Sequence, residues 1–306
     1  MSVLFARRCF AATSFLAAAL ALAPANAAES PSYSAYSQGR YLTALDLAEK
    51  EASEGSKEAF TLIGEIYSEG LGVSQDLEKA ADAYAKAADL GDPNAQFSLG
   101  ALVAEGTGVK KDVRIAADLF ERAAQSGHSS AQYNLALIYL NGRGRPSDEA
   151  KAAEWMQKAA DQGLAVAQYD LGAFYQFGRG VPIDKVKAAE WTGKAAESGL
   201  PAAQVEYGVM LFKGAGVAAD EKAAFKMFGL AAEQGNAVGQ NRLARLYANG
   251  VAVKEDPLQA AKWHLLARAA GVSDFSLDVM LAKLSKEQRE AAEKAAEDWH
   301  NNRLSE

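Results

Sequence analysis

The chain has 306 residues, 49% hydrophobic and 23% charged, with a formal net charge of −7. That acidic balance argues against a nucleic-acid footprint and against attraction to an anionic membrane surface. The only cysteine is Cys9, so no intrachain disulfide framework exists and stability must come from packing.

Residues 1–27 read as a secretory signal peptide. Arg7 and Arg8 precede an uncharged run from Cys9 to Ala23, and Pro24 and Ala25-Asn26-Ala27 then supply a small-x-small cleavage site. The apolar run is too short to span a bilayer. The segment predicts export to the periplasm, or secretion, by the general or the twin-arginine route. Its removal takes two of the 32 basic residues, none of the 39 acidic ones, and the only cysteine.

Residues 28–55 are expected to hold a mobile tail over 28–35 and a capping helix from Tyr41 to Glu54, closed by Gly55. Residues 56–271 are an array of six units. Asp76, Asp112, Asp148, Asp184, Asp220 and Asp256 stand 36 residues apart. Glycines keep the same period: one series runs from Gly55 to Gly271, a second from Gly70 to Gly250, and Gly72, Gly108, Gly144, Gly180 and Gly216 follow two residues behind the second. A fixed period of this length signals a solenoid.

Within the type unit, Asp92-Pro93-Asn94 opens a helix carrying Ala95, Leu99, Gly100, Leu102 and Val103 at helical spacing. Gly106-Thr107-Gly108-Val109 turns the chain. Asp112 caps a second helix whose stripe is Ala116, Leu119, Phe120, Ala123 and Ala124, and Gly127 closes it. Each unit is thus a helical hairpin. Small residues at Gly64, Gly100, Ala136, Gly172, Gly208 and Ala244 predict close helix contact. Trp155, Trp191, Met227 and Trp263 are expected to fill the core from the second helices.

Residues 272–306 read as C-terminal capping helices: a short apolar one with Phe275, Leu277, Val279, Met280 and Leu281, then one from Glu287 to Trp299 behind the capping box Ser285 to Gln288. A polar-faced end is what a soluble repeat array needs.

No constellation for catalysis stands out. His128, His264 and His300 lack His-x-x-x-His spacing, and Cys-x-x-Cys is absent, so no metal site is expected. The six aspartates each precede a helix and read as caps. The Gly-Arg-Gly pairs at Gly142 and Gly178 lack the strand and further glycines of a phosphate loop. No Ser-x-x-Lys occurs. No catalytic residue and no cofactor is predicted.

The run Ala167-Gln168, Leu171-Gly172, Tyr175, Gly178-Arg179-Gly180-Val181, Asp184, Lys187-Ala188, Trp191 and Ala195-Ala196 resembles the Sel-one-like repeat family, relatives of the tetratricopeptide repeats. The resemblance spans all six units. Departures are Ala252 for the second loop glycine of the last unit, Arg145-Pro146 in the third, and Arg268 in the last Ala pair. It implies an all-α, right-handed superhelical solenoid that binds proteins. Exported members of the family include a rhizobial regulator of exopolysaccharide synthesis that binds the periplasmic domain of a sensor kinase, which makes such a sensor the implied partner. Others act in host interaction. Cysteine-rich exported relatives have been linked to penicillin binding or weak β-lactamase activity, but they carry a cysteine pair in each repeat.

In tetratricopeptide-like solenoids the first helices line the concave face. One track there reads Ser98, Asn134, Asp170, Glu206 and Arg242. The next reads Ala101, Leu137, Ala173, Val209 and Arg245, with Leu140, Phe177 and Phe212 near the helix ends. The candidate partner-binding residues are Asn134, Leu137, Asp170, Phe177, Glu206, Val209, Arg242 and Arg245. A polar track beside an apolar one suits a segment of a partner protein.

Overall fold

Repetition of one hairpin governs the architecture, and backbone caps explain where each helix starts and stops. The computed structural model describes residues 30–304; the signal-peptide segment 1–27 lies outside the described residues. All regular structure among them is helical. Two helices come first, α1 (Pro31–Ser37) and α2 (Tyr41–Ser53). The six hairpins are α3 (Lys57–Glu69) with α4 (Leu77–Asp89), α5 (Pro93–Glu105) with α6 (Val113–Gln125), α7 (Ser129–Asn141) with α8 (Glu149–Asp161), α9 (Ala165–Phe177) with α10 (Lys185–Glu197), α11 (Pro201–Lys213) with α12 (Glu221–Glu233), and α13 (Ala237–Asn249) with α14 (Pro257–Ala269). Two helices close the chain, α15 (Phe275–Lys283) and α16 (Lys286–Leu304). This is a helical solenoid of tandem hairpins.

The six periodic aspartates are the N-caps of the six second helices. Each carboxylate accepts backbone N–H groups two or three residues on, as Asp76 does from Lys79 at 3.0 Å and Asp220 from Ala223 at 2.9 Å. Such a cap satisfies N–H groups that have no partner inside the helix and so fixes where it starts. The same backbone bonds hold the Asp76 and Asp112 carboxyls below the usual carboxylate range. Each aspartate also donates its own N–H across the hairpin, Asp112 to the Val103 carbonyl and Asp256 to that of Tyr247, both at 3.0 Å. The first helices all end in a left-handed glycine, from Gly70 to Gly250.

The packing column of the second helices lies one residue beyond the position expected from the sequence. Tyr84, Phe120, Met156, Thr192, Phe228 and His264 are the buried ones. Trp191 and Trp263 are buried as expected, but Trp155 and Met227 are only half-buried. The indoles lie under lysines, Lys158 Nζ at 3.9 Å from the Trp155 ring centre and Lys194 Nζ at 3.9 Å from that of Trp191. The ring keeps one face to the core and one to the ammonium. The small column of the first helices meets the buried one directly. A Cβ added at Gly64 falls 2.6 Å from the Tyr84 ring, and one at Gly208 falls 2.7 Å from Phe228.

A glutamine latch ties successive hairpins. Gln96, Gln132, Gln204 and Gln240 are buried, and each donates its side-chain N–H to a carbonyl eight residues back, at the end of the preceding second helix. The acceptors are Ala88, Ala124, Ala196 and Ala232, at 3.2 to 3.3 Å. Each of these carbonyls also accepts the N–H of the glycine three residues on, as Ala88 does from Gly91 at 3.1 Å, so the glutamine adds a second bond where one helix ends and the next hairpin begins.

The chain forms two compact units that divide after Gln162. The first holds α1 to α8 and the second α9 to α16. In the first, the expected mobile tail over 28–35 is corrected for residues 30–35, the described part of it: Ser30 caps α1, Ala35 and Ser32 are buried, and Ser32 donates its N–H and hydroxyl to the Glu51 carboxylate at 3.1 and 2.5 Å. The cause is tertiary, because a seven-residue helix is too short to stand alone. The unit-three departure also has a role there, since Arg145 pairs with Asp118 and, at 2.8 Å, with Glu121 on α6. In the second unit the capping box forms as expected: Ser285 N–H donates to Gln288 at 2.9 Å, and Gln288 N–H to the Ser285 hydroxyl at 3.3 Å. The helix behind it continues past Trp299 to Leu304, where no glycine or proline stops it. Trp299 packs edge-on against Trp263 at 5.7 Å.

Candidate partner-binding face

The residues of the two sequence tracks on the first helices differ in burial, within each unit. In the first unit, Leu137 and Leu140 are half-buried on α7. Asn134 is only 2% exposed, with its amide nitrogen unpartnered, so it belongs to the interior. The same repeat position as Leu137 carries Glu65 on α3. There the chain reaches its own first helix: from α1, the Tyr36 hydroxyl donates to Glu65 at 3.1 Å. Burial pushes the Glu65 carboxyl above its ordinary range, and the Tyr36 bond opposes that. Burial likewise raises the Tyr33 and Tyr36 phenols.

In the second unit, Asp170 and Glu206 are half-buried, Val209 is half-buried, and Arg242 and Arg245 are exposed. Phe177, the last residue of α9, is 58% exposed, and Phe212 is 41% exposed. The stripe thus changes from acidic on α9 and α11 to basic on α13. Val209, Arg242 and Arg245 share one cavity of about 300 Å³, which Phe212, Phe228, Leu246 and Val251 also line. Asp170 and Phe177 are not among the residues lining it.

The last hairpin repeats the arrangement seen at the first. Asp274 caps α15 and seats its buried carboxylate on α13, accepting from Arg245 Nε at 2.5 Å and from the Asn241 amide at 3.0 Å. Glu65 and Arg245 occupy equivalent repeat positions, five periods apart. At both ends, then, a segment of the chain itself docks on this position of a first helix through a polar anchor. The sequence reading missed Asp274; its signal is the Asp-Phe-Ser-Leu run, an N-cap pattern like those of the repeats.

Burial alone raises the Asp274 carboxyl, but the bonds from Arg245 and Asn241 outweigh it and hold the group at about 2. A pKa below the unfolded value of 3.8 means that the anchor is fully formed above that value and is lost as pH falls from about 4 towards 2. The expected result is that wild type melts above Asp274→Asn at pH 5, and that the gap narrows as pH falls below about 4 and closes only below about 2. Thermal melts followed by circular dichroism across that range check it; a constant gap contradicts it.

Among the described residues no group of three or more metal-ligating side chains occurs, and no helix is long and apolar enough to cross a membrane. His264 is buried in the core column with Nε2 2.8 Å from Asp278, which accounts for it structurally.

The Sel1 repeat model matches residues 61–92, 93–128, 129–164, 165–200, 201–236 and 237–272. No functionally curated protein matches the chain. A Sel1 repeat protein from Oxalobacter formigenes is 28% identical, with 79% of this chain and 97% of that one covered and a TM-score of 0.68. A protective antigen present in uropathogenic Escherichia coli strains, displaying an SLR fold, is 29% identical, with 87% and 66% covered and a TM-score of 0.54. Sel1 repeat proteins are generally protein-interaction scaffolds and typically not enzymes. Six consecutive matches over most of the chain, on the hairpins described above, mean that the protein belongs to the Sel1 repeat family.

Proposed function

We propose that this protein is exported and works outside the cytoplasm as a scaffold or regulator that holds a segment of a partner protein on the exposed stripe of its first helices. The observation that carries this reading is the use of that stripe by the chain itself. Tyr36 docks on Glu65 and Asp274 on Arg245, at one repeat position, while the equivalent Leu137 and Val209 carry no such segment. Mechanism is then non-covalent: binding holds the partner in one of its states and shifts its population. The signal-peptide reading and the family resemblance favour a membrane sensor with a domain outside the cytoplasm.

The test is in-cell crosslinking and capture with the full chain beside the double variant Leu137→Glu, Val209→Glu. The expected result is one membrane-anchored protein, recovered from the envelope fraction and depleted at least ~10-fold with the variant, since two buried charges at a contact are strongly unfavourable. Equal recovery by both chains contradicts the assigned face. The likeness to a protective antigen favours a second reading, a secreted host-interaction protein. Fractionation separates the two: recovery in the medium or on the cell surface supports the second, and recovery in the periplasm the first.

A further inference from the structure

The cavity on α11 and α13 has a composition that names its ligand. Its floor is apolar, built from Phe212, Phe228, Leu246 and Val251. Its rim carries two cations, Lys213 and Arg242, both exposed. The third cation, Arg245, is already paired with Asp274. Neither Lys213 nor Arg242 has a hydrogen bond or an ion pair among the described residues, although the chain carries seven more acidic than basic side chains. Two unpaired cations over an apolar hollow, on an acidic protein, are a local inversion of charge. Water can solvate them, but the hollow between them is apolar and has room for a side chain of leucine or phenylalanine size.

The neighbouring contact shows which charge this end of the stripe accepts. A carboxylate, that of Asp274, sits on the same first helix one turn from Arg242. We infer that the cavity seats an apolar side chain of an acidic partner segment, with carboxylates beside that side chain on Arg242 and Lys213. This rests on the scaffold reading above and gives it a ligand class: an extended acidic-apolar peptide. Apolar burial supplies the affinity, and the rim charges select against basic segments and speed encounter.

The test is selection of displayed random heptapeptides on the full chain, followed by affinity measurement of the selected peptides. The expected result is enrichment of peptides with a leucine, methionine or phenylalanine next to aspartate or glutamate. Their affinity should fall about 10-fold with Arg242→Glu plus Lys213→Glu, and fall with rising salt. Both positions are exposed, and unchanged melting of the variant confirms that folding is intact. Enriched peptides that are basic or neutral overturn the inference. So do peptides that bind the rim variant as tightly as wild type; if those are weakened by Leu137→Glu, the stripe remains a binding face and only the cavity assignment fails. Peptides insensitive to every one of these changes, or no enrichment at all, count against both readings.

Discussion

Gly216→Ala is expected to destabilise the second unit by about 3 kcal/mol, against about 1 kcal/mol for Gly199→Ala. Both glycines have positive φ, 75° and 88°, so both substitutions incur the left-handed strain. They differ in what lies around them. A Cβ at Gly199 meets nothing within 4 Å, whereas one at Gly216 lands on the Lys185 carbonyl oxygen at the start of α10. That carbonyl belongs to the preceding hairpin, so the loop must lift off and the spacing between units must open. Gly108 and Gly144 meet the Leu77 and Val113 carbonyls in the same way. The glycine period two residues behind the first-helix caps is therefore a spacing device between hairpins. Thermal melts of the two variants decide it: a shift for Gly216→Ala no larger than that for Gly199→Ala contradicts the device.

Phe228→Ala is expected to lose about 3–4 kcal/mol, the usual loss for emptying a buried aromatic site. The ring is 3% exposed and packs on Gly208, where a Cβ has no room. The third hairpin solves the same contact differently, with Ala136 against Met156, both fully buried. Copying that solution, Phe228→Met with Gly208→Ala, is expected to stay within about 1 kcal/mol of wild type. Gly208→Ala alone forces the ring aside, offset in part by the better helix propensity of alanine. Denaturant melts of the two single variants and the double one test whether the positions are coupled; strict additivity contradicts it.

Much of this fold was legible because each hairpin states its own boundaries. An aspartate before the second helix and a left-handed glycine after the first are local signals, and six copies remove the ambiguity of one. What was not legible depended on long-range contact. Residues 31–37 carry no period of their own, and their helix exists because Glu51 and Glu65 receive Ser32 and Tyr36. The core column was placed one residue early at Trp155 and Met227, since helical spacing marks a stripe without saying which of two adjacent positions turns inward. Lysine above the indole lets Trp155 stay at the rim while Met156 fills the interior. Asn134 fits the polar track by alignment and is buried by its neighbours. The charge change from Asp170 and Glu206 to Arg242 and Arg245 can be read from aligned repeats. The cavity cannot, because Lys213 and Val251 come from a helix end and a loop that share no track.

The proposed partner contact lies on the first helices, at the positions that the chain's own ends already use. Hydrogen exchange by mass spectrometry, on the full chain with and without its captured partner, tests it most directly. The predicted result is new protection over α7, α9 and α11, with α8, α10 and α12 unchanged. Protection confined to the second helices, or to α16 alone, would contradict the account.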